Sequence, residues 1–89
     1  MKDNLEISIV QTDLILKDKQ KNLIKIESIL SDLKSTDIIL LPEMFNTAFC
    51  PLDVSLAETK SGPTINWMKS ISKQKKCSIA GTLMIKEKN

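Results

Sequence analysis

The stretch from Asp37 to Glu43 constrains the fold more than any other part of the chain. Its four consecutive aliphatic residues, Ile38 to Leu41, are followed directly by Pro42. A short unbroken apolar run predicts a strand buried on both faces, as the strands of parallel sheets are. Because proline has no amide hydrogen to donate to a sheet, the strand is expected to end there. Glu43 is therefore placed at the carboxyl end of a buried strand.

Two elements are predicted before this strand. Leu5, Ile7 and Ile9 alternate with other residues, which indicates a half-buried strand. Within residues 19–34 aliphatic side chains recur three or four positions apart, which indicates an amphipathic helix with Asp18 as its N-cap. These aliphatic residues are Leu23, Ile26, Ile29, Leu30 and Leu33. Strand, helix and strand in this order predict a parallel βαβ unit.

Three further segments follow the buried strand. Residues 44–61 show no clear period and are interpreted as a loop with apolar content, either a ligand-binding loop or a lid over the core. A second helix is predicted over residues 62–75, with Pro63 near its first position. Residues 77–85 are predicted to form a third strand. The cluster of Lys73, Lys75 and Lys76 is interpreted as the helix end, with an anion site as the alternative.

The resulting pattern, β-α-β-loop-α-β, predicts an α/β fold. Three strands neither close a barrel nor fill a doubly wound sheet, so the 89 residues are expected to form the first part of a larger fold. A domain of this size buries only about 60–65% of the surface of its unfolded chain, which predicts marginal stability in isolation.

The composition excludes several classes of site. All 13 basic residues are lysines, and the chain has no histidine, arginine or tyrosine. The chain therefore contains neither a Ser-His-Asp nor a Cys-His pair, and nothing suited to bidentate recognition of phosphate or guanine. Gly62 and Gly81 are the only glycines, too few for a dinucleotide-binding or phosphate-binding loop. No cofactor, metal site or nucleic-acid partner is expected.

The two cysteines suggest no metal or redox motif. Cys50 and Cys77 match neither a zinc-ligand spacing nor a CxxC pair. Cys77 begins the predicted third strand, where a small buried thiol is the usual interpretation. The sequence shows no signal peptide, and its apolar runs are too short to cross a membrane. We therefore expect a reduced, cytoplasmic protein without a membrane partner.

Glu43 is the candidate catalytic residue. It follows Pro42, which restricts the local backbone, and it precedes Met44 and Phe45, which would lower the dielectric around its carboxylate. Such an environment suits a general base that works near neutral pH. In the alternative interpretation, Glu43 caps the following turn or faces water.

Several segments in register resemble the nitrilase superfamily of carbon-nitrogen hydrolases. The strongest is residues 37–49, in which a hydrophobic strand leads into Leu-Pro-Glu and an aromatic-containing loop. Residues 9–11, Asn22 in the first helix, the approach to the second helix at residues 56–68, and residues 79–82 agree in order and spacing. The Pro-Glu-Met-Phe sequence is most similar to the omega-amidase branch, which hydrolyses amides of 2-oxo dicarboxylic acids.

The resemblance implies a fold, a reaction and one site residue. Residues 1–89 are then a partial carbon-nitrogen hydrolase domain, the N-terminal part of a four-layer α-β-β-α sandwich that is usually dimeric. The family acts on small amides or nitriles through a cysteine nucleophile, a glutamate base and a lysine. By this resemblance Glu43 is the general base.

The nucleophile and the lysine of the family have no match in this chain. Both follow the region that corresponds to residue 89, and neither Cys50 nor Cys77 lies at the position of the nucleophile. We therefore expect the chain alone not to hydrolyse amides. The exposed sheet of a partial domain predicts a homo-oligomer or association through that surface. The alternative function is a non-catalytic remnant, or a binding and oligomerisation module that a partner completes.

Overall fold

The structure, a computed structural model, describes residues 3–87. Its strands form one parallel sheet in the order β1-β2-β3, with Ser8, Ile39 and Ile79 side by side across it. The elements along the chain are β1 (Ile7–Ile9), α1 (Lys19–Ser31), β2 (Ile38–Leu40), a 3₁₀ turn (Val54–Leu56), α2 (Pro63–Lys75) and β3 (Ser78–Ala80). The predicted α/β architecture and element order are confirmed.

The first helix begins where the sequence predicts. The Asp18 side chain accepts a hydrogen bond from the Lys21 amide at 3.1 Å, which satisfies one of the free amides at the helix start. The helix ends at Ser31, three residues before the predicted end at Lys34. The Leu33 amide bonds the Leu30 carbonyl, and this tight turn closes the helix.

The second helix is confirmed at both ends. Pro63 is its first residue and Gly62 is the N-cap. Lys76 follows the last turn in the left-handed conformation that terminates many helices, and its amide bonds the Ser72 carbonyl. Lys73 lies in the last turn, as predicted for a helix end. The third strand is shorter than the predicted residues 77–85, because after Ala80 only Ile85 pairs again, in a single bridge to Glu58.

The core lies between one face of the sheet and both helices. Ile39 of β2 is fully buried and packs with aliphatic residues from α1 and α2. The buried members of this cluster are Val10, Ile26, Leu30, Ile39, Phe45 and Ile71. The prediction that this strand is buried on both faces is wrong. Ile38 and Leu40 are only half-buried, because the helices cover one face of the sheet and leave the other without a covering layer in the described residues.

The buried and the exposed face of β1 are the reverse of the prediction. Leu5, Ile7 and Ile9, expected on the buried side, are 63%, 49% and 69% exposed. Ser8 points toward the helices instead, where its hydroxyl donates to the Thr36 hydroxyl at 2.9 Å. The alternation gives the period of the strand correctly, but the aliphatic residues belong to the face that no helix covers.

The described residues 3–87 contain no helix long and apolar enough to cross a membrane.

Gly81 lies where the chain leaves β3 and approaches the core closely. A Cβ at this position would stand 2.8 Å from the Phe45 ring and 3.0 Å from the Leu41 Cβ. Phe45 is fully buried, and its ring lies 6.0 Å from that of Trp67, so it has little room to move. Glycine is therefore required here by the packing of the aromatic ring.

We predict that Gly81→Ala lowers the free energy of unfolding by about 1–3 kcal/mol, because the added methyl group overpacks the core. Urea unfolding followed by Trp67 fluorescence measures the change. Ser78→Ala is the matched control, since Ser78 lies exposed on the same strand. Equal stability of the two variants would contradict this account of the glycine.

Candidate functional site

The candidate site lies at the edge of the sheet where the parallel strands end. β2 leads into Pro42 and Glu43, and β3 leads into Gly81 and Thr82. The Leu41 amide bonds the Ala80 carbonyl at 2.8 Å, which continues the pairing of the two strands to this edge. Carboxyl ends of parallel strands are where α/β proteins place ligands.

Glu43 is exposed in the structure. The expectation that Met44 and Phe45 surround its carboxylate with apolar groups is wrong, because both side chains turn into the core and are 7% and 0% exposed. The carboxylate is left facing solvent at the start of a turn. Its geometry therefore suits a group that acts on a molecule brought to this edge, and its role as a base remains a prediction.

The turn after Glu43 has an unusual backbone. Met44 and Ala48 adopt positive φ angles of 47° and 65°, a conformation that costs free energy for residues with a Cβ. The turn is closed by hydrogen bonds from the Thr47 and Ala48 amides to the Met44 carbonyl, at 3.2 and 2.9 Å. The Met44 amide donates to the Thr82 hydroxyl at 2.9 Å. The segment that carries Glu43 is thus held in one strained conformation.

A buried asparagine connects this turn to the first helix. Asn22 is fully buried, and its amide group donates to the Asn46 carbonyl at 3.0 Å and to the Ile15 carbonyl at 2.8 Å. Its side-chain oxygen accepts from the Ile15 amide at 2.7 Å. In the sequence Asn22 was notable only through the family resemblance. The structure shows that it joins the start of α1 to two loops.

Glu58 is a second acidic residue at this edge, and sequence reasoning gave it no role. It is 6% exposed, and its carboxylate accepts from the Thr64 amide at 2.8 Å and from the Thr64 hydroxyl at 2.7 Å. Lys19 forms an ion pair with it at 2.9 Å. The Asn46 side chain in turn donates to the Thr64 hydroxyl at 3.1 Å. An acidic residue shortly before a helix is the sequence signal for a carboxylate that accepts hydrogen bonds from the start of that helix.

The surroundings of Glu58 act on its pKa in opposite directions. Burial alone raises the pKa, but the hydrogen bonds from Thr64 and the ammonium of Lys19 outweigh it, so the pKa of the Glu58 carboxyl lies below its ordinary value. A carboxyl whose pKa is lower in the folded state stabilises the fold above its unfolded pKa, about 4.3. That stabilisation is lost as the pH falls through the folded-state pKa.

We predict that Glu58→Gln lowers the free energy of unfolding by about 2 kcal/mol near pH 7, because a charge-assisted pair becomes a neutral one. The difference from the wild type should shrink as the pH falls below about 4. Denaturant unfolding at several pH values measures it. Glu27→Gln is the control, since Glu27 is exposed and its oxygen, which accepts from Trp67, is retained in glutamine. A difference that is independent of pH would contradict the assignment.

Cys50 lies beside the turn of Glu43, where its thiol donates to the Ala48 carbonyl at 3.4 Å, whereas Cys77 lies directly before β3. Cys77 is half-buried against the core, and burial raises the pKa of its thiol despite the nearby Lys75. Cys50 lines an open apolar depression with Phe49 and Leu52, beside the ion pair of Lys17 and Asp53, 2.9 Å apart. The position of Cys77 does not suit an activated nucleophile, which needs a stabilised thiolate.

Of the two interpretations that the sequence left open for the loop of residues 44–61, the lid over the core describes its first part, and ligand binding by the loop remains a prediction. Met44 and Phe45 belong to the buried part of the molecule, whereas Phe49 and Leu52 are 67% and 94% exposed. Only the first part of the loop covers the core. The second part presents apolar side chains to solvent.

Comparison with known proteins gives one consistent result. The family model for carbon-nitrogen hydrolases matches residues 6–89. The chain is 28% identical over 81 residues to the omega-amidase YafV of Escherichia coli K12, and 30% identical over 83 residues to the omega-amidase YafV of Yersinia enterocolitica. These matches cover 91% of this chain and 31% of each relative, so the chain spans about a third of their length.

A solved structure agrees with these matches. XC1258 from Xanthomonas campestris, a CN-hydrolase superfamily protein with an arsenic adduct in its active site, aligns with a TM-score of 0.87 at 28% identity. The alignment covers 92% of this chain and 31% of that protein. The fold expected from the resemblance, the N-terminal part of the family's sandwich, is confirmed.

Proposed function

The chain belongs to the carbon-nitrogen hydrolase family, and from this membership we propose that it forms the N-terminal part of an omega-amidase-like enzyme in which Glu43 is the general base. The observation that supports this role is the position of Glu43. It stands exposed at the carboxyl edge of the sheet, on a turn whose strained backbone is hydrogen-bonded to the neighbouring strand end. Strained, well-held turns cluster at functional sites.

The proposed reaction is the hydrolysis of a small amide in two acyl-transfer steps. A cysteine gives its thiol proton to Glu43 and attacks the amide carbon as the thiolate, while a lysine ammonium stabilises the oxyanion. The tetrahedral intermediate then collapses to a thioester as the proton on Glu43 passes to the leaving nitrogen, which departs as ammonia. Glu43 then takes a proton from the water that attacks the thioester, and the acid is released with the thiolate restored. The cysteine and the lysine come from the part of the family fold that follows the region matched here. No cofactor or metal takes part in these steps.

The preferred substrates are amides of dicarboxylic acids, by similarity to the two omega-amidases. Because this chain lacks the matching cysteine and lysine, it is proposed to be inactive alone. The alternative is a non-catalytic module that a partner completes. The exposed aliphatic residues of β1 favour association with another protein surface. Because both functions require such association, this observation does not distinguish between them.

The first experiment determines the natural length of the gene product. The DNA beyond the Asn89 codon is sequenced, and the mass of the native protein is measured. We expect the frame to continue into the lysine of the family and into its nucleophilic cysteine, which in the family usually lies in a Cys-Tyr-Asp-like segment. A native mass near 10.0 kDa would favour the non-catalytic alternative instead.

In the natural-length protein we predict that Glu43→Gln lowers kcat for omega-amide hydrolysis by about 10²–10⁴-fold, the usual contribution of general-base catalysis. Ammonia release measures the rate. Glu87→Gln provides the same chemical change at another exposed position and should leave kcat unaltered. Full activity of Glu43→Gln would eliminate Glu43 as the base.

The uncovered face of the sheet is the proposed surface of association. Ile7 and Ile9 of β1 stand on it, beside the half-buried Ile38 and Leu40 of β2. Contiguous apolar surface of this kind favours burial against another protein surface. The proposed occupant is the second sheet of the family sandwich or, in the isolated chain, another copy.

We predict that the 89-residue chain self-associates and that Ile9→Glu shifts it toward the monomer, because a charge on this face opposes its burial. Sedimentation velocity at several concentrations measures the shift. Ile24→Glu is the matched control, since Ile24 is 61% exposed on α1, away from the sheet, against 69% for Ile9. A monodisperse wild-type monomer with cooperative unfolding would contradict the proposal.

A further inference from the structure

Thr82 makes the hydrogen bond nearest to Glu43 along the chain. Its hydroxyl accepts from the amide of Met44, the residue that directly follows Glu43, across 38 positions of sequence. The bond therefore fixes the peptide plane between Glu43 and Met44 to the end of β3. On the other side of Glu43, the ring of Pro42 restricts its own φ angle.

The conformation of Met44 makes this bond significant. Its φ of 47° lies in the left-handed region, where a residue with a Cβ is less stable than in its ordinary conformations. A residue stays in this region only when surrounding contacts determine it. The Thr82 hydroxyl supplies one such contact.

The neighbouring Gly81 supplies the complementary contact. Because it has no Cβ, the Phe45 ring can pack directly against the chain at the end of β3. The two residues that directly follow β3 thus hold the two residues that follow Glu43, one through a hydrogen bond and one through packing. The carboxylate itself makes none of these contacts and is left exposed.

We propose that Thr82 is a positioning residue, whose hydroxyl holds the Met44 amide and thereby sets the direction in which Glu43 presents its carboxylate. This inference rests on the proposed role of Glu43 and adds a residue on a different strand to it. Serine has the same hydroxyl and serves equally, whereas valine has nearly the same shape and does not.

The first test uses the isotopically labelled 89-residue chain and nuclear magnetic resonance. In Thr82→Val the exchange of the Met44 amide with solvent should accelerate by about tenfold, as expected for one lost hydrogen bond, and the side-chain carboxyl resonance of Glu43 should shift. In Thr82→Ser both should remain as in the wild type. The Leu41 amide, bonded to Ala80, reports whether the sheet is intact in each variant.

Three results of this test would overturn the proposal. They are an unprotected Met44 amide in the wild type, unchanged Met44 exchange in a folded Thr82→Val, and loss of Met44 protection in a folded Thr82→Ser. If Thr82→Val loses Leu41 protection as well, the wild type and Thr82→Ser still decide the question.

The second test measures omega-amide hydrolysis by the natural-length protein. Thr82→Val should lower kcat by about tenfold with KM little changed, since misplacing a general base affects the chemical step, and Thr82→Ser should restore kcat. Wild-type kcat in Thr82→Val together with an inactive Glu43→Gln would overturn the positioning role alone. An active Glu43→Gln would overturn the proposed function, while the resonance experiment would still report on the hydrogen bond.

Discussion

The buried carboxylate of Glu58 is the interaction on which the arrangement at the sheet edge depends. It accepts hydrogen bonds from the amide and the hydroxyl of Thr64 at the start of α2. It also forms an ion pair with the ammonium of Lys19 at the start of α1. A buried carboxylate is costly unless such donors surround it, so removal of any one of them leaves the buried charge less well compensated. The Thr64 hydroxyl also accepts a hydrogen bond from the Asn46 side chain. The two helix starts and the turn after Glu43 are therefore held as one unit.

Local signals in the sequence were sufficient to predict the order of strands and helices, but they were insufficient to predict which face of a strand is buried. The Asp18 cap, the start of α2 at Pro63 and the strand before Pro42 each have a signal within a few residues. Each is present in the structure, although the strand is fully buried on one face and not on both. The reversal of β1 has a different cause. A period of two identifies a strand, but in a strand whose uncovered face is also aliphatic, hydrophobicity does not distinguish the helix-covered side.

The residues of the candidate site also differ in how far the sequence predicts them. Glu43 was identifiable because proline and an apolar run precede it directly. Thr82 was not, because its contact with Met44 spans 38 residues and exists only once β2 and β3 are paired. The contact of Glu58 with the start of α2 has a local signal, but its ion pair with Lys19 depends on the approach of α1, which no short pattern in the sequence specifies. A residue with a signal in its neighbouring residues, such as Glu43, can be predicted from the sequence. A residue that acts through a long-range contact, such as Thr82, is found only in the tertiary structure.

The exposure of Glu43 bears on its proposed role as a base. A carboxylate in contact with bulk water interacts weakly with a developing charge, because the high dielectric of water screens it. Catalytic electrostatics require that water be excluded when substrate is bound. The described residues fix the backbone on both sides of Glu43 but leave its side chain exposed, since Met44 and Phe45 turn inward. Position is therefore supplied by this part of the fold, and the low-dielectric surroundings must come from whatever surface covers the carboxyl edge of its sheet.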